Sequence, residues 1–166
     1  FTCADNVGVA SCSGPTTVTA EGSTTVSGTA CDVAGNCAST SRTVKIDKTA
    51  PTGSASATPN RVWSPNHKLV DVSTTVSVAD ASGSGPAGFT LVSVTSNEPD
   101  NSLGDGDTPS DIQGWLPGTA DVSGQVRAER AGTGSGRIYT ITYQISDVAG
   151  NTATVSTTVT VPFSQR

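Results

Sequence analysis

Three stretches of the chain alternate apolar or β-branched residues with small polar ones, and each pattern predicts a half-buried β-strand. The stretches are DVSTTVSVAD (71–80), RIYTITYQISD (137–147) and NTATVSTTVTV (151–161). A period of two places every second side chain on one face of a strand, so one face of each strand is predicted to be buried. The residues predicted on these faces are Val72, Thr74, Val76, Val78, Tyr139, Ile141, Tyr143, Ile145, Val155, Val159 and Val161.

The pentapeptide DVAGN occurs twice, at Asp32–Asn36 and at Asp147–Asn151. The second copy lies between two predicted strands, which indicates a hairpin connection. Gly35 and Gly150 suit a turn position with positive φ. We therefore expect each copy to turn the last hairpin of its own β-unit.

A weaker repeat precedes each DVAGN copy. CADNVGVA (Cys3–Ala10) is similar to VADASGSG (Val78–Gly85), and each carries an aspartate just after a strand-like stretch. Asp5 precedes Asp32 by about 27 positions, whereas Asp80 precedes Asp147 by about 67. One unit is therefore compact, and the other contains an insertion of about 40 residues.

The fold class predicted by these strands is all-β, with tandem immunoglobulin-like β-sandwiches and no helical segment. We expect a first domain at 1–52, which is a partial, N-terminally incomplete repeat with its linker. The second domain, at 53–166, is expected to be a larger sandwich that holds the acidic insertion.

Composition narrows the functional class. The chain has 166 residues, a formal net charge of −5 and only 14% charged residues, with abundant Thr and Ser. An acidic chain is a poor partner for nucleic acid, since phosphate binding needs clustered Lys and Arg. No apolar run of membrane-spanning length is present, so membrane insertion is not expected. The composition favours a secreted or cell-surface bacterial protein.

All four cysteines lie in the first third of the chain, at Cys3, Cys12, Cys31 and Cys37. No CxxC spacing or accompanying histidine is present, so a zinc site is not expected. Four cysteines allow three pairings. The pairs Cys3–Cys12 and Cys31–Cys37 are favoured because each would bracket a short turn between adjacent strands. Disulfides would imply an oxidising compartment.

The strings CADNVGVASCSG, ACDVAGNCAS and VKIDKTAPT resemble bacterial immunoglobulin-like repeats, related to hyalin repeats, of large extracellular proteins. DKTAPT resembles the linker between two such repeats. The second unit, with WSPNHKLVDV, VTSNEPDNSLGDGD and RAERAGTGSGRIYTITYQISDVAGN, resembles a domain found near the C-termini of secreted bacterial proteins. The resemblance implies a structural or adhesive module whose partners are neighbouring repeats or like subunits.

Two departures from the resembled pattern bear on assembly. The second copy lacks DKTAP, so we interpret it as the distal end of an array. The first unit has about fifty residues before the linker, whereas a complete sandwich needs about a hundred. Either the unit is truncated, or another molecule supplies its missing edge strand, as in a filament subunit.

Calcium is the expected cofactor, because hard cations take oxygen ligands from carboxylates, amides and carbonyls. In the resembled repeats, aspartates at such positions bind calcium near domain junctions and stiffen the linker. The alternative is that these aspartates accept hydrogen bonds from turn backbone groups. The repeat-linked candidates are Asp5, Asn6, Asp32, Asn36 and Asp47 in the first unit, and Asp80, Asp147 and Asn151 in the second.

The insertion contains a second acidic cluster, DNSLGDGDTPSD, in which Gly104 and Gly106 would let the backbone fold around an ion. The spacing is not that of an EF-hand, which ends in a glutamate at its twelfth position. A solvated acidic loop is the alternative to a calcium site. The candidate ligands here are Asp100, Asn101, Asp105, Asp107 and Asp111, with Glu98 just upstream.

Catalysis is not expected. His67 is the only histidine, and no Gly-x-Ser-x-Gly elbow or comparable nucleophile motif is present. Arg127 and Glu129 alternate along one predicted strand and so share a face, which predicts a cross-strand ion pair.

The alternative function is an accessory carbohydrate-binding module of a secreted enzyme. Such a module would use an exposed aromatic face to contact a glycan. Trp115 in the loop QGWLPG is the predicted ligand-binding residue, whereas Trp63 is predicted to be buried at a strand start.

Overall fold

The computed structural model describes residues 1–81, 83–101 and 108–164. These residues contain ten β-strands and no helix, so the all-β prediction is confirmed. Consequently, the described residues contain no helix of a length and apolarity that could cross a bilayer. The chain divides into two compact units, Phe1–Thr49 and Ala50–Arg166. The division falls just before the 52/53 boundary expected from the sequence.

The first unit contains a single antiparallel sheet of three strands in the order β1-β2-β3. DVAGN connects β2 to β3, as predicted. The strands are β1 (Val9–Cys12), β2 (Gly22–Asp32) and β3 (Cys37–Ile46). Within residues 1–49, all of which the structure describes, no large apolar side chain is buried. This unit therefore lacks a hydrophobic core of its own.

Two disulfides cross-link this unit and confirm the favoured pairing. Cys3 is bonded to Cys12, and Cys31 is bonded to Cys37. Cys31 and Cys37 are also register partners on β2 and β3, on either side of the DVAGN turn. Small domains with little core depend on such cross-links, which restrict the unfolded chain. Structural disulfides of this kind are typical of an oxidising, extracellular environment.

The second unit contains two antiparallel sheets, in the orders β10-β9-β6 and β4-β5-β8-β7. Its second DVAGN connects β9 to β10 and confirms the hairpin prediction. The strands are β4 (Thr52–Thr58), β5 (Leu69–Ala79), β6 (Pro86–Ser96), β7 (Ile112–Gln113), β8 (Ser123–Arg127), β9 (Gly136–Asp147) and β10 (Thr152–Pro162).

One hydrophobic core is shared by the two sheets of the second unit. The predicted inner faces are confirmed, because every second residue of β9 from Tyr139 to Ile145 is fully buried and β5 and β10 alternate in the same way. The rings of Phe89 and Tyr143 meet edge to face, with their centroids 5.6 Å apart. Leu91 and Val126, from β6 and β8, complete the centre of this core.

The single sheet of the first unit has the same strand order as the β6-β9-β10 sheet, and DVAGN occupies the same place in each. Counting back from the motif's aspartate gives the corresponding inner positions. The fully buried residues of β9, Tyr139, Ile141, Tyr143 and Ile145, correspond to Thr24, Val26, Gly28 and Ala30 of β2. The first sheet therefore carries small residues where the second builds its core.

Candidate functional site

The two DVAGN turns have the same hydrogen-bond geometry. In the first, the Asp32 carboxylate accepts bonds from the backbone N–H and the side-chain amide of Asn36, both at 2.8 Å. In the second, Asp147 accepts the same two bonds from Asn151, at 2.8 and 2.7 Å. The fourth position of the motif holds glycine, Gly35 and Gly150, with φ of +90° and +95°, as predicted. Each aspartate therefore caps its own turn.

An aspartate also accepts hydrogen bonds within the loop before β1 in the first unit and within the loop before β6 in the second. Asp5 Oδ1 accepts hydrogen bonds from the N–H groups of Val7 and Gly8, at 2.8 and 3.0 Å. Asp80 Oδ2 accepts bonds from Gly85 N–H at 2.8 Å and from the Ser84 hydroxyl at 3.3 Å. The weak sequence repeat therefore corresponds to a repeated loop, organised around one carboxylate.

Both loops dock on their DVAGN turn through one backbone bond. Val33 N donates to Gly8 O at 3.2 Å, and Val148 N donates to Gly85 O at 3.0 Å. Hydrogen bonds to the ionised carboxylates stabilise the charged form. The side-chain amide of Asn36 and then its N–H lower the pKa of Asp32, and the N–H groups of Gly8 and Val7 lower the pKa of Asp5.

Asp80 and Asp147 are two predicted carboxylate ligands of the second unit that the fold brings together. Each offers a carboxylate oxygen, and these two atoms lie within 4.8 Å of each other. Asp147 is buried, with 3% of its surface exposed. Two carboxylates this close repel each other unless a cation or a hydrogen-bond donor compensates for their charge. Oxygen donors at this separation are compatible with two ligands of one Ca²⁺.

The other repeat-linked candidates have local roles or lie at the surface. Asp47 directly follows β3 and accepts a hydrogen bond from Thr49 N–H at 3.1 Å. Asn6 is exposed, as is Asn101 in the insertion. Asp105 and Asp107, which the sequence predicts as ligands, lie outside the described residues.

The remaining carboxylates of the insertion face protein donors. Asp100 accepts backbone bonds from Asp111 and Ser110, at 2.7 and 2.9 Å, and these N–H groups lower its pKa. Asp111 is buried and accepts hydrogen bonds from Arg127, at 3.0 Å, and from Arg137. These two acidic side chains, predicted as calcium ligands, therefore serve to hold the insertion on the second unit.

Arg137 is the centre of a buried ion network that the sequence did not predict. Its side chain is fully buried and donates to Asp111, to Glu98 Oε2 at 3.2 Å and to the Tyr139 hydroxyl at 3.2 Å. Burial alone would lower the pKa of Arg137, but the bonds to Tyr139 and Asp111 outweigh it and raise that pKa. Burial raises the pKa of Tyr139 to about 12.

Arg127 and Glu129, for which a cross-strand ion pair was predicted, each pair with a side chain from another segment of the chain. Arg127 pairs with Asp111, whereas Glu129 Oε2 lies 3.0 Å from Nδ1 of His67. Arg127 also donates to the carbonyl oxygens of His67, at 2.9 Å, and of Pro109, at 3.0 Å. Glu129 is fully buried, and its Oε1 has no hydrogen-bond partner among the described residues.

The predictions for the two tryptophans are wrong in opposite directions. Trp115 is buried, with 9% of its surface exposed, because its indole packs against Gly124 and donates to Gln125 O at 3.4 Å. Trp63 is 43% exposed, although it follows the buried Val62. Of the two indoles, the one with an exposed face is therefore that of Trp63 and not that of Trp115.

Comparison of the chain with protein-family models, with curated proteins and with solved structures finds no match.

Proposed function

We propose that this chain is a non-catalytic structural or adhesive module of a secreted or cell-surface bacterial protein. It contains immunoglobulin-like units, stabilised by calcium, and acts as a spacer, tip or filament component. The resemblance of the first unit to extracellular repeats supports the class of protein. The two disulfides support an oxidising compartment.

The observation that carries the calcium proposal is the approach of Asp80 and Asp147 within 4.8 Å. The two bonds that cap the second DVAGN turn run from Asn151 to the Asp147 carboxylate, and the carboxylate of Asp80 takes no part in them. Asp147 is nonetheless buried beside another carboxylate. A bound Ca²⁺ would compensate for both charges and fix the loop of Asp80 on the turn.

A spacer whose first sheet remains as it is has more support than a filament subunit whose first sheet is completed by a strand from another molecule. β3 is one of the two edge strands of the first sheet, the other being the four-residue β1, and it carries Arg42 and Lys45. Charged side chains and short edge strands are both typical of edges that avoid pairing. Gly28 and Ala30 on the inner face offer little apolar surface to an incoming strand. The rival function, an accessory carbohydrate-binding module built on Trp115, lacks the exposed indole that it requires.

Thermal unfolding of the full chain, with calcium and with excess chelator, tests this function. We expect calcium to raise the melting temperature of the second unit by about 10 °C, because ligand at 100 times Kd stabilises by about 2.7 kcal/mol. Asp80→Asn should abolish this rise.

Asp5→Asn is the matched control, because Asp5 holds the corresponding loop of the first unit. This variant should keep the full calcium-dependent rise of the second unit. An equal rise in Asp80→Asn, or no rise in the native chain, would rule out a calcium-stabilised module of this kind.

A further inference from the structure

Three segments of the second unit meet around Trp63. Val62 N donates to Thr160 O at 2.8 Å, which places Trp63 beside the end of β10. His67 N donates to Ala128 O at 3.0 Å, which joins the same segment to the chain beyond β8. The Arg130 side chain then donates to Pro162 O and Phe163 O, at 3.2 and 3.3 Å. Trp63 and Phe163 therefore belong to the same end of the unit.

Both aromatic side chains at this end are exposed, Trp63 by 43% and Phe163 by 50%. The guanidinium of Arg130 lies 4.6 Å from the centre of the Phe163 ring, so a cation covers one aromatic face. Large exposed aromatic side chains grouped together, in a chain with 4% aromatic residues, indicate a binding surface.

The cationic side chains without an ion pair in the described part of the second unit are found here as well. Arg127 and Arg137 are buried in ion pairs. Arg61, Lys68 and Arg130 form no ion pair within the described residues, and the guanidinium of Arg61 donates a hydrogen bond to Ser164 O at 3.1 Å. In a chain of net charge −5, three cationic side chains without an ion pair among the described residues are therefore found at this end.

His67 adds a polar group to the same surface. Its side chain is half exposed, and its Nδ1 is held by the buried Glu129. A carboxylate at Nδ1 fixes the ring orientation and leaves Nε2 as the nitrogen available to a ligand. We define the aromatic–basic surface as Arg61, Trp63, His67, Lys68, Arg130 and Phe163.

We infer that the aromatic–basic surface binds an acidic polysaccharide. The apolar face of a sugar ring would stack on the exposed indole of Trp63, while the carboxylates of successive uronic acid residues would pair with Arg61, Lys68 and Arg130. The chemistry is distinct from that of the Asp80–Asp147 pair, since it recognises an anion and does not require calcium. Charge complementarity separates this ligand from a neutral glycan, which would gain nothing from the three cations.

Affinity electrophoresis of the full chain in gels containing polygalacturonate tests this inference. Chelator is present throughout, so that calcium cannot bridge the protein and the polymer. We expect retardation by polygalacturonate that weakens with added salt, because exposed charge pairs are screened. Trp63→Ala should weaken the binding about tenfold or more, as expected for an exposed aromatic anchor, and the double variant Arg61→Gln/Lys68→Gln should weaken it by a similar factor.

Leu116→Ala is the control, since it truncates an apolar side chain that is 63% exposed and lies outside the surface. It should leave the retardation unchanged. Because Trp63 and Leu116 are both exposed, a melting curve for each variant will confirm that the fold is kept. Equal retardation by neutral dextran, no retardation by polygalacturonate, or binding that survives Trp63→Ala would each overturn the inference.

Discussion

At the residue scale, the Tyr139 hydroxyl connects the ion network to the core. It donates to Arg127 O at 2.8 Å and accepts from Arg137 at 3.2 Å. Burial raises its pKa to about 12, so the folded chain keeps this proton at a pH where the unfolded chain has lost it. The second unit should therefore lose stability as the pH rises from the ordinary tyrosine pKa of about 10 to about 12.

Tyr139→Phe should flatten this alkaline loss, because the titrating group is removed. At neutral pH it should cost about 1–2 kcal/mol, which is the range for a buried hydrogen-bonded hydroxyl. Urea unfolding at several pH values checks both effects. An unchanged slope between pH 10 and 12 in the variant would contradict the role assigned to this hydroxyl.

Arg137 is the second residue on which the site depends. Arg137→Gln would leave Asp111 and Glu98 without their shared buried cation, and breaking such a pair costs about 3–5 kcal/mol. We expect the free energy of unfolding of the second unit to fall by that amount. Arg61→Gln, an exposed arginine, should change it by less than about 0.5 kcal/mol. If both variants lowered the free energy of unfolding by similar amounts, the buried ion network would make no special contribution to the stability of the second unit.

The role of single residues was harder to predict than their strand positions. The alternation of β9 correctly placed Tyr139 and Ile141 in the core. Arg137 is the second residue of the same strand and lies on the inner face by the same period of two, yet a charged residue near a strand start does not indicate burial. Its partners Asp111 and Glu98 are separated from it by 26 and 39 positions, so only the folded chain reveals the network.

At the element scale, the absence of a Cβ at a glycine allows a neighbouring segment to pack closely against the strand. A Cβ on Gly124 of β8 would lie 2.4 Å from the Trp115 indole nitrogen. Gly124→Ala should therefore displace Trp115 and destabilise the second unit by about 1–3 kcal/mol, the range for an overpacked core. Urea unfolding gives the loss, and near-ultraviolet circular dichroism reports the changed environment of the indole.

Gly14→Ala is the control for this prediction, because a Cβ at Gly14 would meet no atom within 4 Å. Its free energy of unfolding should stay within about 0.5 kcal/mol of the native value. A native-like Gly124→Ala protein would show that the close approach of β8 and Trp115 is unimportant.

The predictions of exposure for Trp115 and of burial for Trp63 failed because the burial of each side chain depends on residues that are distant in the chain. Trp115 lies in a loop rich in Gly and Pro, which favours exposure, but Gly124 on the facing strand provides the space into which the indole packs. Trp63 follows the buried Val62, whose segment is hydrogen-bonded to Thr160 of β10. The side chain of Trp63 itself is nevertheless exposed. Local sequence indicates the element, whereas exposure depends on a neighbour that is distant in the chain.

At the scale of the whole molecule, the two units are stabilised by different means. All four cysteines lie in the first unit, which buries no large apolar side chain within residues 1–49, whereas the second unit has a shared core and no cysteine. Each small disulfide loop is worth about 2–4 kcal/mol. Reduction should therefore unfold the first unit and leave the melting of the second unit unchanged.

Calorimetric scans with and without a reducing agent check this prediction. One transition should disappear on reduction, while the other keeps its temperature and enthalpy. A single transition that shifts as a whole would contradict the separate stabilisation of the two units.

The all-β class, the disulfide pairing and both DVAGN hairpins followed from sequence alone, because each rests on local periodicity or short spacing. The acidic side chains illustrate the limit of that approach. Their clustering predicted calcium at Asp100 and Asp111, yet the folded chain supplies them with backbone and arginine donors. Among the described residues of the second unit, Asp80 and Asp147, which are 67 positions apart, lie side by side as two predicted carboxylate ligands.

Isothermal titration calorimetry is the most direct test of the proposed calcium-stabilised module. Ca²⁺ is titrated into the full chain after a chelator has removed bound metal and has itself been removed. We predict saturable binding with a Kd of roughly 10⁻⁴–10⁻³ M, the range of extracellular calcium modules. Binding should persist in Asp5→Asn and weaken at least about tenfold in Asp80→Asn. Absence of saturable binding in the native chain, or equal binding in Asp80→Asn, would contradict the proposal.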